Sequence, residues 1–155
     1  MSEHLAKIAY NGPVIQYFIV IAYILFNFDN DFKLLLLFLT VGVANGKLNE
    51  LIKITLKQSR PTGSIDVFET KEYNKEEPHY YGMPSGHMQN GSYSYFIGIR
   101  IIKNMYYIIF GGILLIMTFI QRYTYKKHTI LQLIIGTMIG FFIAELTIKI
   151  NQHIK

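Results

Sequence analysis

The chain has 155 residues, a formal net charge of +5 and no cysteine; 51% of its residues are hydrophobic and only 16% charged, with 12 Tyr and 11 Phe. The length suits one domain, 1–155, and the missing cysteines exclude disulfides, a thiol nucleophile and zinc–thiolate sites. The lysines are scattered rather than tracked along one polar face, which argues against a nucleic-acid partner; basic residues near membrane ends more often meet lipid headgroups.

Met1 to Gly12 reads as a short polar head. It lacks a basic cluster and a small-residue cleavage site before the first apolar run, so that run is expected to stay as an anchor. Pro13 to Phe28 is a first, shortish span, rich in Ile, Tyr and Phe and interrupted by Gln16. Asp29-Asn30-Asp31 is a turn signal. Phe32 to about Leu51 is a second span. Its later half carries Asn45, Gly46, Lys47, Asn49 and Glu50, polar groups expected to face other helices or a wet cavity because they are costly against lipid.

Lys53 to Tyr80 is the long hydrophilic segment and holds five of the ten acids: Asp66, Glu69, Glu72, Glu76 and Glu77. A surface loop, with room for a short interfacial helix, is expected, its charges most simply a solvated face. Met88 to about Ile102 is a third span, with Gly91, Ser92, Ser94 and Gly98 for tight packing and Arg100, Lys103 and Asn104 at its far end. Asn90-Gly91-Ser92 matches a glycosylation sequon, but it opens this span. Met105 to Gln121 is a fourth span, containing Gly111-Gly112, and Arg122 to His128 a short basic loop. Thr129 to Ile150 is a fifth span, with Gly136 and Gly140 in small-x-x-x-small spacing for helix packing. Glu145 either pairs across helices or lies at the interface. Several of these runs approach the ~20 residues that cross a bilayer as a helix. The expected architecture is therefore all-α, a polytopic membrane helix bundle of about five transmembrane helices.

Five spans bring the N-terminus, the second-to-third loop and the fourth-to-fifth loop to one membrane face, and with them three clusters. The first is Lys53 with Arg60-Pro61; seven residues are two helical turns, which would align the two cations on one helix face. A lysine point charge and a planar arginine fork suit a phosphate. The second is Pro84-Ser85-Gly86-His87. Pro84 suits a helix's first turn, Ser85 a cap, and the outward amides of Ser85 and Gly86 at a helix N-terminus attract anions. His87 transfers protons near neutral pH. The third is Arg122, His128 and Gln132. Gln132 lies one turn from His128, so its carbonyl oxygen can accept the Nδ1 proton and leave Nε2 to attack.

Taken singly, these are a capped helix with an incidental histidine, cations anchoring helix ends at headgroup level, and an ordinary interfacial imidazole. Together they supply donors for a tetrahedral anion and two imidazoles, the parts of a two-step phosphoryl transfer. One imidazole attacks phosphorus; the other protonates the leaving oxygen and then activates water. No acidic metal cluster accompanies them, so the chemistry requires neither metal nor cofactor.

This pattern resembles the type 2 phosphatidic acid phosphatase superfamily of membrane lipid phosphatases, which shares its core with haloperoxidases. The family shows Lys-x6-Arg-Pro, matched from Lys53 to Pro61; Pro-Ser-Gly-His, matched from Pro84 to His87; and Ser-Arg-x5-His-x3-Asp, matched in spacing by Gln121, Arg122, His128 and Gln132 with two substitutions. The glutamine at 132 orients a ring without neutralising an imidazolium. The dolichyldiphosphatase branch looks similar here: Tyr81 to Gln89 matches its Tyr-Gly-Met-Pro-Ser-x-His-x-Gln, and Tyr123, His128, Thr129 and Gln132 match its Tyr-x4-His-Thr-x2-Gln. The resemblance implies His128 as the nucleophile forming a phosphohistidine, His87 as general acid, Gln132 as the orienting group, and Lys53, Arg60, Ser85, Gly86 and Arg122 as the phosphate cradle. It implies a lipid phosphate or diphosphate substrate, a polyprenyl diphosphate first and a glycerol or sphingoid lipid phosphate second, and an active site on the lumenal or extracytoplasmic face. Basic residues, six on the motif face and five opposite once Lys53, Arg60, Arg122 and the in-span Lys47 are set aside, leave orientation open. Two other readings stand beside this one. Vanadium haloperoxidases share the cradle but are larger and soluble. A non-catalytic protein binding lipid headgroups gains weight from the missing acid.

Overall fold

A computed structural model of the chain describes residues 2–27, 32–65 and 78–154. The expected turn at Asp29 to Asp31 and the acids Asp66, Glu69, Glu72, Glu76 and Glu77 lie outside them. The described residues form five long helices, α1 (Glu3–Asn27), α2 (Phe32–Leu56), α3 (Gly86–Ile102), α4 (Met105–Thr124) and α5 (Ile130–Ile154), with a 3-10 turn at Pro78–Tyr80. Of these α1, α2, α4 and α5 are long and apolar enough to cross a membrane. The fifth, α3, has 17 residues and packs against each of the other four. Its central place explains its composition: Gly91, Ser92, Ser94 and Gly98 are buried against neighbouring helices rather than lipid.

The helix starts and stops have local causes. Lys57 and Lys103 take left-handed backbone angles just past α2 and α3, which ends each helix. Asn104 then caps α4, its Oδ1 accepting from the Tyr106 amide at 2.8 Å. One boundary differs from the sequence reading. The polar head is helical, and Pro13 lies inside α1. A proline there leaves the carbonyl four residues earlier without its donor; that carbonyl, Ala9 O, instead accepts from Thr118 Oγ1 of α4 at 2.8 Å. Tertiary contact thus carries the helix through its proline. The opening turns belong to it because Ala6, Ala9 and Gly12 are buried there.

The bundle closes around α3. Tyr93 stacks on Phe38 with ring centroids 5.4 Å apart, in a core with Val20, Ile24, Leu34, Ile97 and Ala144. The small-residue pair of α5 behaves as its spacing predicts: a side chain at Gly136 would strike the Ser85 backbone, and one at Gly140 the Gln89 carbonyl. Polar residues in the spans find partners. Gln16 Nε2 donates to Gly111 O at 2.9 Å. Arg100 and Glu145 pair through two bonds of 2.9 and 2.8 Å, so Glu145 joins α3 to α5. In α2, Asn45 and Asn49 face inward as expected, whereas Lys47 and Glu50 do not: they pair with each other on the outer surface at 2.9 Å.

Candidate functional site

The three clusters meet at one end of the bundle. Lys53, in the last turn of α2, is buried, and lies within electrostatic range of Arg60 and Arg122. The helical alignment of Lys53 with Arg60 does not occur, because α2 stops at Leu56 and Arg60 follows on the loop. There the guanidinium is tied to backbone: Nη2 donates to His79 O at 2.8 Å and Nη1 to Lys127 O at 3.0 Å. Nη1 also lies 3.5 Å from His128 Nε2.

Ser85 takes the N-cap position of α3, with Gly86 the first helical residue. Pro84 therefore precedes the cap rather than sitting in the first turn. The Ser85 hydroxyl makes no capping bond and is buried without a partner among the described residues. Its amide is not free, as the sequence suggested, but donates to Gln132 O at 3.1 Å. The unclaimed amides at this helix start thus begin at Gly86.

Beneath the turn lies a network of neutral amides. Gln89 Nε2 donates to Asn45 Oδ1 at 2.7 Å and to Asn45 O at 2.9 Å; Asn49 Nδ2 donates to Gln89 Oε1 at 2.8 Å and Pro84 O at 3.3 Å. Asn45 Nδ2 donates to Asn90 Oδ1 at 2.8 Å. Asn45, Asn49 and Lys53 are spaced one turn apart on α2, so the same stripe that presents Lys53 also clamps the start of α3.

Arg122 belongs to the last turn of α4 rather than to a loop. The chain then folds back on it: the amides of Lys127 and His128 both donate to Arg122 O, at 3.0 and 3.3 Å. This carries the buried His128 ring back beside Arg122. His128 Nδ1 is 2.8 Å from Gly82 O. A carbonyl only accepts, so Nδ1 carries the proton and Nε2 keeps its lone pair. Burial, then the charges of Arg122, Arg60 and Lys53, hold this imidazole well below the usual histidine range, against the Gly82 hydrogen bond, which pulls the other way. The ring is therefore neutral, with its free nitrogen facing a guanidinium.

Here the sequence reading is corrected. Gln132 does not accept from the His128 ring. Its Oε1 accepts from the Thr129 amide at 3.1 Å, and its Nε2 donates to Gln58 Oε1 and Ser59 O, both at 3.0 Å. The acceptor at Nδ1 comes from a different loop. Sequence reasoning also missed Tyr10, whose ring meets His87 edge-on with centroids 4.7 Å apart and lies 5.6 Å from Arg122 Cζ. A tyrosine in the first third of α1 carries no local signal for contacts made across the bundle. Among the described residues no group of three metal-ligating side chains gathers.

Among the described residues, a helical bundle with four membrane-length apolar helices holds cations and two imidazoles at one end, the class of arrangement suited to phosphate esters presented at a membrane. A family model described as the PAP2 superfamily matches residues 16–154. The chain belongs to the PAP2 superfamily and is a phosphate-ester hydrolase of its phosphatase type; its four membrane-length apolar helices make it an integral membrane protein. A crystal structure of a transmembrane PAP2-type phosphatidylglycerolphosphate phosphatase from Bacillus subtilis is similar in fold, with a TM-score of 0.74 and 18% identity, over 99% of this chain and 77% of that one. No curated protein sequence matches the chain.

Proposed function

We propose that the chain hydrolyses a lipid diphosphate or phosphate monoester through a phosphohistidine on His128, with polyprenyl diphosphate the first-choice substrate. The observation that carries this reading is the His128 ring, with Nδ1–H tethered to the Gly82 carbonyl and Nε2 3.5 Å from Arg60. Lys53, Arg60, Arg122, the Ser85 hydroxyl and the Gly86 amide cradle the phosphoryl oxygens, where fixed donors are worth most. The Nε2 lone pair attacks phosphorus as the bond to the leaving oxygen breaks, and His87 gives that oxygen its proton. His87 then takes a proton from water, the water oxygen attacks phosphorus, and the P–N bond breaks to release inorganic phosphate. His128 keeps its Nδ1 proton, donated to the Gly82 carbonyl, throughout.

A cavity of about 330 Å³ supports a lipid substrate. It is lined by Met88 of α3, Leu115 and Phe119 of α4, and Ile134 and Met138 of α5. Met88 follows His87 directly, and Phe119 lies one turn before Arg122, so an apolar tail there would leave its headgroup at the cations. The polyprenyl preference rests on the likeness of Tyr81 to Gln89 and Tyr123 to Gln132 to dolichyldiphosphatases. The fold of the Bacillus subtilis phosphatase favours a second substrate, a glycerophospholipid phosphate. Phosphate release from polyprenyl diphosphate, phosphatidylglycerol phosphate and phosphatidic acid ranks the two. The proposal expects release without added metal, greatest on the prenyl substrate and lost in His128→Ala. Faster release from a glycerophospholipid overturns the prenyl choice, and full activity in His128→Ala overturns the mechanism.

A further inference from the structure

The side chain at position 132 and the backbone at position 82 touch, and each is fully occupied. Gly82 N donates to Gln58 O at 2.8 Å, its carbonyl accepts from His128 Nδ1–H, and a Cβ added to it would stand 2.7 Å from Gln132 Oε1 and 2.8 Å from Nε2. Gln132 is buried. Its Oε1 meets a backbone N–H, that of Thr129, and its Nε2 meets a backbone carbonyl, that of Ser59. Both partners have fixed polarity, so the direction of the amide is settled by the fold. The second Nε2 hydrogen goes to Gln58 Oε1. Gln58 therefore holds both Gly82, through its backbone, and Gln132, through its side chain. Arg60 is two residues further along this loop.

We propose that Gln132 is a positioning residue for Arg60 and Gly82 rather than for the His128 ring, and that what position 132 must supply is a hydrogen-bond donor. The assignment rests on the proposed phosphatase reading, because it concerns how that site is held. It also gives the glutamine a physical reason. A carboxylate at 132 would set acceptor against acceptor at Ser59 O and Gln58 Oε1 and release the loop that carries Arg60. The orienting acceptor is already present in the Gly82 carbonyl. Glycine is needed at 82 because any side chain would displace the amide that packs on it.

Gln132→Glu separates this from direct orientation, since it keeps an acceptor and removes the donor. In the purified full-length protein, KM, kcat and orthovanadate inhibition are measured beside the histidine 15N spectrum. The strut predicts that Gln132→Glu raises both KM and the vanadate inhibition constant about tenfold, the scale of one or two lost buried hydrogen bonds. It predicts a smaller change in kcat and an unchanged Nδ1–H tautomer at His128. An unchanged inhibition constant, a raised kcat or a shifted tautomer overturns it. Should Gln132→Glu fail to fold, Gln58→Ala removes one partner at the loop surface and is expected to raise the inhibition constant a few-fold with the tautomer intact; no rise overturns the strut. A wild-type protein inactive on every lipid phosphate sinks the phosphatase reading instead, and the tautomer comparison still decides the strut.

Discussion

From the middle of α3 onward, Tyr93 stacks on Phe38 and Ile97 packs among Val20, Ile24 and Leu34, while one turn further Arg100 meets Glu145 in a two-bond pair. In its first turns, Gln89 is held by Asn45 and Asn49, and three cations turn their charge on the neutral ring of His128. The far half matches charge with charge and fills space with hydrocarbon. The near half is braced by neutral amides, which hold geometry without cancelling the field of the cations. That division suits a site whose counter-charge arrives with the substrate.

Four experiments sharpen or break this contrast. Removing the reacting groups should act on the near half alone. His128→Ala is expected to lower kcat on the order of 10⁴-fold, and His87→Ala about 10²- to 10⁴-fold. Loosening the bracing should couple stability to function. Gln89→Leu strands buried amides of Asn45 and Asn49, so chemical denaturation should show a loss of about 1–3 kcal/mol, and kcat/KM should fall about tenfold as the Ser85–Gly86 turn shifts. A stability loss with unchanged kinetics would mean that the amides brace the helices but not the site.

The third test is pH. Burial and the charges of Arg122, Arg60 and Lys53 lower the folded-state pKa of His128, while the unfolded chain protonates near the ordinary histidine value of about 6.5. Below that value the unfolded state binds a proton that the folded state refuses, so stability is lost as pH falls and none is gained as pH rises. Nε2 stays deprotonated over the same range, so the His128 limb of kcat/KM should fall only below about pH 6.5. A limb centred at or above the ordinary value contradicts the cationic field. The smallest effect belongs to the far half: Arg100→Ala breaks a half-exposed pair and should cost less than about 1 kcal/mol, with kcat/KM within about twofold of wild type.

Much of this was legible in the residues, and the failures share one cause. Apolar runs located five helices, because lipid and core select hydrocarbon wherever it stands in the chain. Counting the spans placed Lys53, Arg60, Ser85, His87, Arg122 and His128 at one end of the bundle. What sequence reasoning misplaced depends on partners distant in sequence. Pro13 reads as a boundary unless Thr118 is known to satisfy Ala9 O. Gln132 lies one turn from His128, which suggests a local bond, yet its amide turns to Gln58 and Ser59, more than 70 residues away. Tyr10 meets His87 only because α1 packs beside α3.

The bond from phosphorus to His128 Nε2 is the step on which the proposed chemistry turns. Rapid alkaline quenching of the purified protein with a 32P-labelled lipid phosphate, followed by peptide mapping without acid, reads that bond. The expected result is an acid-labile, alkali-stable label on the peptide containing His128, absent from His128→Ala. A label on any other peptide, or a burst of product with no labelled protein under conditions that preserve phosphohistidine, would contradict it.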